Sequence, residues 1–292
     1  MKPYPFAYHR PTNLAEALNK LAKLPNPKII AGGQSLVPML NFRVAQVDNL
    51  IDLSEIDEIK RIENKSQYFY VGSMVSQREL SDDPILEKYL PIFKFALSHV
   101  GHAQTRNRGT IGGSLCHLDP SAELPLLAIA LEAELYVSSS EGSRKIPANE
   151  FAEYMLSPSI EEDEILTHIK IPIKSWSGWG FTEYSRRHGD FAIVAAVCMI
   201  KWSEKTTIEE IVLAAGGLCE VPFRLTELER QLIGCHIDQI DINEVVPEKL
   251  DFDALDDPFV PAWYRNRIAS EAIKTVFSQS LRRSQKASSA NG

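Results

Sequence analysis

The chain has 292 residues with a formal net charge of −8, and 44% of its residues are hydrophobic. That length exceeds one average domain, so two domains, each able to bury a core, are expected. The acidic balance argues against nucleic acid or an anionic membrane surface as partner, although basic residues can still gather round a phosphate-bearing cofactor.

The N-terminus, Met1-Lys2-Pro3-Tyr4-Pro5, is polar and proline-broken, and no long apolar run follows. A cytoplasmic protein without signal peptide or membrane span is expected. Leu14, Leu18, Leu21 and Leu24 recur at helical spacing after the capping candidates Thr12 and Asn13, which predicts a helix over about 13–24. Lys28-Ile29-Ile30-Ala31 reads as a short buried strand, and Leu50 to Leu53 as another close by. Together they outline a small α/β unit over roughly 1–60.

Tyr68 to Val71 reads as the next strand, and Ser76-Gln77-Arg78-Glu79 matches a capping box. Pro91 sits where a helix begins, with Ile92, Phe93, Ala96, Leu97 and Val100 as its apolar face. Leu124 to Leu131 is an almost wholly apolar helical run, and Pro125 confines its start to the residues just before, which puts Glu123 near a helix N-terminus. Glu134 to Val137 and Ile165 to Ile171 read as strands, the second stopped by Pro172.

Residues 172–180 break the periodicity and mark the expected domain boundary. Beyond it, Ala192 to Ile200 and Ile208 to Ala215 are strand-like, while Leu225 to Ile233 and Trp263 to Phe277 read as helices. The small polar stretch from Arg282 to Gly292 is expected to be disordered. Cys116, Cys198, Cys219 and Cys235 are widely spaced without a C-x-x-C, so this chain is not expected to hold zinc or an iron–sulfur cluster.

Two glycine-pair turns carry the chemistry: Ala31-Gly32-Gly33-Gln34-Ser35 and Thr110-Ile111-Gly112-Gly113-Ser114. Neither spells a dinucleotide-binding or P-loop motif. Each is expected to present unblocked backbone N–H groups with a hydroxyl beside them, since residues without a β-carbon let the main chain come close, and the two read as halves of one diphosphate cradle. Either pair alone also suits an ordinary tight turn.

The string GHAQTRNRGTIGGS at 101–114, AGGQSLVP at 31–38 and FTEYSRRHGDFA at 181–192 together resemble the FAD-binding medium subunits of molybdenum hydroxylases, the xanthine dehydrogenase and carbon monoxide dehydrogenase group. The resemblance spans nearly the whole chain. It implies an α+β fold: a PCMH-type FAD-binding domain over 1–176, made of two α/β subdomains (about 1–60 and 61–176). A smaller C-terminal domain over 177–282 then contains an antiparallel sheet and a helical bundle, with 283–292 left as a tail.

By the same resemblance, non-covalent FAD lies along Ile29, Ile30, Ala31, Gly32, Gly33, Gln34, Ser35 and Leu36, and along Thr110, Gly113 and Ser114. It also implies contacts from Val100, Gly101, His117 and Leu166, with Glu123 binding a polar part of the cofactor. A carboxylate there accepts from ribose hydroxyls or the adenine amine; alternatively, Glu123 only complements a helix dipole. Thr182 and Glu183 stand where some members carry a lysine that contacts FAD, so that contact is not expected here. Arg106, Arg108, Arg186, Arg187 and Asp190 are either solvated charges or line the flavin edge or a partner surface.

No catalytic residue is expected in this chain, because redox chemistry resides in the flavin ring. The resemblance implies an electron-transfer subunit of a heterotrimer, passing electrons from a partner's [2Fe-2S] clusters to NAD or another carrier. The molybdenum cofactor belongs to the large subunit. A self-contained oxidase or reductase of the same FAD fold, and a cofactor-free assembly factor, are the alternatives. The first lacks a recognisable serine and glutamate pair of proton donors, and the second leaves two intact glycine turns unexplained.

Overall fold

The computed structural model describes residues 1–203 and 206–290, the side chains of 285–290 apart. After strand β1 (Ala7–His9), helix α1 (Leu14–Lys23) starts at Asn13, whose Oδ1 accepts the Glu16 N–H at 2.9 Å. Strand β2 (Pro27–Ile30), helix α2 (Leu36–Asn41) and strand β3 (Asn49–Asp52) follow. The three strands form a parallel sheet of order β1-β3-β2, with Ala17, Leu18 and Leu21 of α1 in its core. Helix α2 falls outside the expectation because it contains Pro38. That proline is the third helical residue, in the first turn, where an N–H has no intrahelical partner in any case.

Strands β4 (Ile62–Asn64) and β5 (Tyr68–Gly72) lead to α3 (Gln77–Asp82), which carries the full Ser76/Glu79 capping box. Helices α4 (Pro84–Tyr89), α5 (Ile92–Leu97), α6 (Ala103–Arg108), α7 (Ile111–His117) and α8 (Glu123–Ala130) come next. Every residue of α8 after Glu123 is buried, as a helix apolar on all faces requires. Strands β6 (Glu134–Ser138) and β7 (Ser143–Pro147), a short α9 (Ala148–Phe151), the small pair β8 (Ala152–Tyr154) and β9 (Ser157–Pro158), and β10 (Ile165–Pro172) complete this part. An antiparallel five-stranded sheet of order β4-β5-β10-β6-β7 results, and Pro172 pairs with Tyr68 as the last residue of β10.

Strands β11 (Gly178–Tyr184), β12 (Val194–Trp202), β13 (Ile208–Gly216) and β14 (Phe223–Arg224) form an antiparallel sheet in sequence order. Helices α10 (Thr226–Leu232) and α11 (Ile242–Val245) precede the long α12 (Ala262–Ala290). A β-carbon on Gly180 would sit 2.2 Å from the Val276 carbonyl oxygen, so glycine lets α12 lie directly on β11. The stretch expected to be disordered from Arg282 instead continues α12. Ser280 and Ser284 are buried, and the Arg283 guanidinium stacks 3.7 Å from the Trp179 ring while donating to its carbonyl at 2.7 Å. The last two residues of that stretch, and the side chains of 285–290, lie outside the described residues.

The chain divides into two compact units. One comprises 1–85, 102–118 and 132–173, and the other 86–101, 119–131 and 174–292. No helix among the described residues is long and apolar enough to cross a membrane.

Candidate functional site

One glycine of each pair sits against the backbone of another segment of the first unit. A β-carbon on Gly32 would lie 1.9 Å from the Arg108 carbonyl oxygen, and one on Gly112 would lie 2.7 Å from the Ser73 carbonyl oxygen. The space a side chain would need at these two glycines is therefore taken up by Arg108 and by Ser73. Gly33 differs: its φ of +71° turns the chain out of β2 and into α2. A β-carbon on Gly113 would lie 3.5 Å from Ala31 Cβ, so the two turns stand side by side.

Their donors are unequally free. In the second turn every N–H from Ile111 to Ser114 is engaged: with Val75 O at 3.0 Å, Ser73 O at 2.8 Å, Thr110 Oγ1 at 3.0 Å and Thr110 O at 3.1 Å. The unblocked donors expected there are absent, because the turn opens α7 and Thr110 caps it. In the first turn the N–H groups of Gly33, Gln34, Ser35 and Leu36 meet no acceptor among the described residues. Ser35 starts α2 without using its hydroxyl as a cap. A cradle made of four free N–H groups, with the Ser35 hydroxyl and the adjacent Thr110 and Ser114 hydroxyls, suits a diphosphate.

Ile29 and Ile30 lie on β2 beneath that turn, His117 ends α7, and Leu166 is buried on β10, the strand against which α7 packs. All of these belong to the first unit, whereas Val100, Gly101 and Glu123 belong to the second. Gly101 has a φ of +39°, and a β-carbon on Gly189 would approach its carbonyl oxygen to 3.1 Å. Next to Val100, His99 packs its ring 5.4 Å from Phe181 and 5.9 Å from His188, and burial together with the His188 charge holds its pKa below the usual histidine range.

Glu123 is the first residue of α8, and its own backbone N–H helps hold the carboxylate. Its carboxyl group is within hydrogen-bonding reach of Glu183 on β11. Burial first, then the facing Glu183, pushes the Glu123 pKa up to about 8; burial likewise pushes Glu183 up to about 7. Sequence reasoning noted Glu183 only for the absence of a lysine. Its pairing with Glu123 needs the packing of α8 in the C-terminal half of the chain, which no local pattern shows.

Of the charged candidates, Arg187 and Asp190 form an exposed pair at 3.1 Å, and the Arg186 guanidinium lies 5.1 Å from the Phe259 ring centre. Arg106 and Arg108 lie on α6, where Arg108 supports the first turn through its backbone. Burial pushes the Cys116 and Cys198 thiols up to about 12, so neither supplies a thiolate. Among the described residues no cluster could hold a metal ion.

Residues 4–174 match the FAD binding domain in molybdopterin dehydrogenase, and residues 179–280 match the CO dehydrogenase flavoprotein C-terminal domain. The caffeine dehydrogenase subunit beta of Pseudomonas sp. (strain CBB1) is 39% identical over 80% of each chain. The 6-hydroxypseudooxynicotine dehydrogenase complex subunit alpha of Paenarthrobacter nicotinovorans is 33% identical over 98% of this chain and 97% of its own. Among solved structures, a chain of quinoline 2-oxidoreductase from Pseudomonas putida 86 superposes with a TM-score of 0.90 at 32% identity, covering 98% of this chain and 99% of that one.

Proposed function

Since the chain belongs to the FAD-binding medium subunits of the multi-subunit molybdenum hydroxylases, we propose that it relays electrons from a partner's iron–sulfur clusters to an external acceptor such as NAD. Its fold is mixed α and β, with an FAD-binding domain followed by a C-terminal flavoprotein domain, and it is one subunit of an oxidoreductase. The finer boundaries we assign are 1–176 and 177–282. Bound FAD supplies the redox centre, taking electrons singly and giving them up in pairs.

The observation that carries this reading is the set of free N–H groups from Gly33 to Leu36 beside the Thr110 and Ser114 hydroxyls. Hydrogen bonds to a charged acceptor contribute about 1.5–3 kcal/mol each, so a few of them retain a diphosphate without a covalent link. Gly33 sets the direction of the donors, and α7 holds the two hydroxyls against them. Glu123 accepts from a polar group of the cofactor, Val100 and Gly101 lie along it, and Leu166, Ile29 and Ile30 provide apolar wall.

The iron–sulfur clusters and the molybdenum cofactor belong to small and large partner subunits. The names of the relatives, a subunit beta and a complex subunit alpha, support such an assembly. Cytoplasmic placement is part of the same reading, and the four free thiols Cys116, Cys198, Cys219 and Cys235 suit a reducing compartment.

The test is direct: the purified protein should be yellow and release FAD into the supernatant on acid or heat precipitation. A colourless protein that cannot be reconstituted with FAD overturns the reading.

A further inference from the structure

Glu123 and Glu183 bring two carboxyl groups into hydrogen-bonding reach inside one unit. Glu183 Oε2 is buried and has no hydrogen-bond donor. The charged group acting on Glu123 besides Glu183 is Asp119, also acidic, and Glu123 is the one that acts on Glu183. Among the described residues no basic side chain forms an ion pair with either glutamate. Two carboxylates at this range, with partial burial and no cation, cannot both stay ionised without strong repulsion. A single proton between them turns that repulsion into an O–H···O hydrogen bond and leaves the outer oxygens as acceptors.

We propose that Glu183 is a positioning residue for Glu123: the two carboxyl groups share one proton, and the joined pair accepts from the hydroxyl-bearing part of the bound dinucleotide. This rests on the cofactor reading above. Sharing a proton has two consequences for an anionic ligand. It fixes the Glu123 carboxyl in one orientation, and it leaves one negative charge in place of two. Loss of the proton separates the carboxyl groups and adds a like charge, so cofactor affinity falls. The mixed environment of α8 fits this role: its N-terminus favours one negative charge, whereas its apolar surroundings oppose a second.

The experiment is a titration of FAD onto the full chain after cofactor removal, followed by fluorescence quenching from about pH 6 to about pH 9, for the parent and for Glu183→Gln. Glutamine keeps the shape, cannot ionise, and its amide donates to the Glu123 carboxylate. In the parent, affinity should be greatest near neutrality, where the pair holds one proton, and fall above it, approaching tenfold per pH unit beyond about pH 8. In Glu183→Gln, affinity should change less than about twofold between pH 7 and pH 9, since the repelling charge is gone. A variant that keeps the parent's fall, or a parent with no fall, overturns the proposal. A parent that binds no FAD at any pH overturns the cofactor reading itself. Side-chain carbon titration of labelled glutamate by NMR in the cofactor-free parent reads the pair without FAD. Two glutamates with ordinary carboxyl midpoints would overturn the shared proton.

Discussion

Gly32 lies so close beneath Arg108 that a β-carbon would sit 1.9 Å from the Arg108 carbonyl oxygen. The two turns, read in the sequence as two halves of one diphosphate cradle, are thus joined where Gly32 meets the main chain just before the second turn. The glycines of each pair divide their work: Gly32 and Gly112 let the chains meet, while Gly33 aims the free donors.

Gly32→Ala and Gly112→Ala should therefore reduce the yield of folded protein and lower the thermal midpoint, whether or not FAD is added. A backbone atom cannot move aside as a flexible side chain can, so the β-carbon pushes the first turn away from Arg108 in Gly32→Ala and the second turn away from Ser73 in Gly112→Ala. Circular dichroism melts of the apoprotein check this, and a Gly32→Ala protein as stable as the parent contradicts the packing role.

Ser114→Ala should leave folding intact and weaken FAD binding by about tenfold, the effect of one hydrogen bond to a charged group. The Ser114 N–H still reaches the Thr110 carbonyl, so α7 keeps its first turn. Gly33→Val should be more severe for cofactor retention, because valine is strained at a φ of +71° and its β-carbon would crowd Val37 Cγ2 at 3.0 Å. Flavin content per chain after gel filtration separates the two variants.

Much of the fold is legible in the sequence where the determinants are local. The Ser76/Glu79 box and the Asn13 cap need only residues three apart, and the Leu14 to Leu24 periodicity marks one helix face. The donor count of the second turn is different, since Ser73 and Val75, which engage Gly112 and Ile111, lie more than thirty residues earlier. The end of α12 was illegible for a related reason: the stretch from Arg282 is small and polar and reads as disorder, yet Ser284 within it is buried and Arg283 donates to the Trp179 carbonyl on β11. Glu183 likewise alternates along β11 as an ordinary strand residue, and only tertiary packing turns it toward Glu123.

The glutamate pair predicts how stability varies with pH. Both folded pKa values lie above the ordinary carboxyl value of 4.5, so the stability linked to their protons is complete below that value and is lost as pH rises toward about 8. Glu183→Gln should melt at nearly the parent's temperature near pH 4.5 and about 2–4 °C higher at pH 8. A variant less stable than the parent at pH 8 runs against the sign of this linkage.

Glu229 should be a stability residue with no bearing on the cofactor. It is 5% exposed and accepts from Arg224 Nε at 2.9 Å, Arg224 Nη2 at 2.8 Å and the Leu213 N–H at 2.8 Å. Glu229→Ala removes the acceptor from a strand N–H and a partly buried guanidinium together, at a cost of about 3–5 kcal/mol. The urea midpoint should fall accordingly, while any folded fraction binds FAD as the parent does. Unchanged unfolding would show that water replaces the carboxylate there.

The subunit assignment makes the last prediction. Expressed alone, the chain should bind FAD, contain neither molybdenum nor iron, and oxidise no substrate at an enzymatic rate. The physical ground is the placement of its possible metal ligands: no cluster of histidine, cysteine or carboxylate side chains among the described residues could hold a metal ion, and burial raises three of the four thiols, those of Cys116, Cys198 and Cys219, well above the ordinary thiol range. On the function proposed above, electrons arrive from clusters on another chain. Co-expression with the large and small subunits should give one stable complex carrying iron, molybdenum and FAD, read by metal analysis and by mass in size-exclusion chromatography. Substrate turnover by the isolated chain at a normal rate would instead favour a self-contained flavoenzyme with its own substrate pocket.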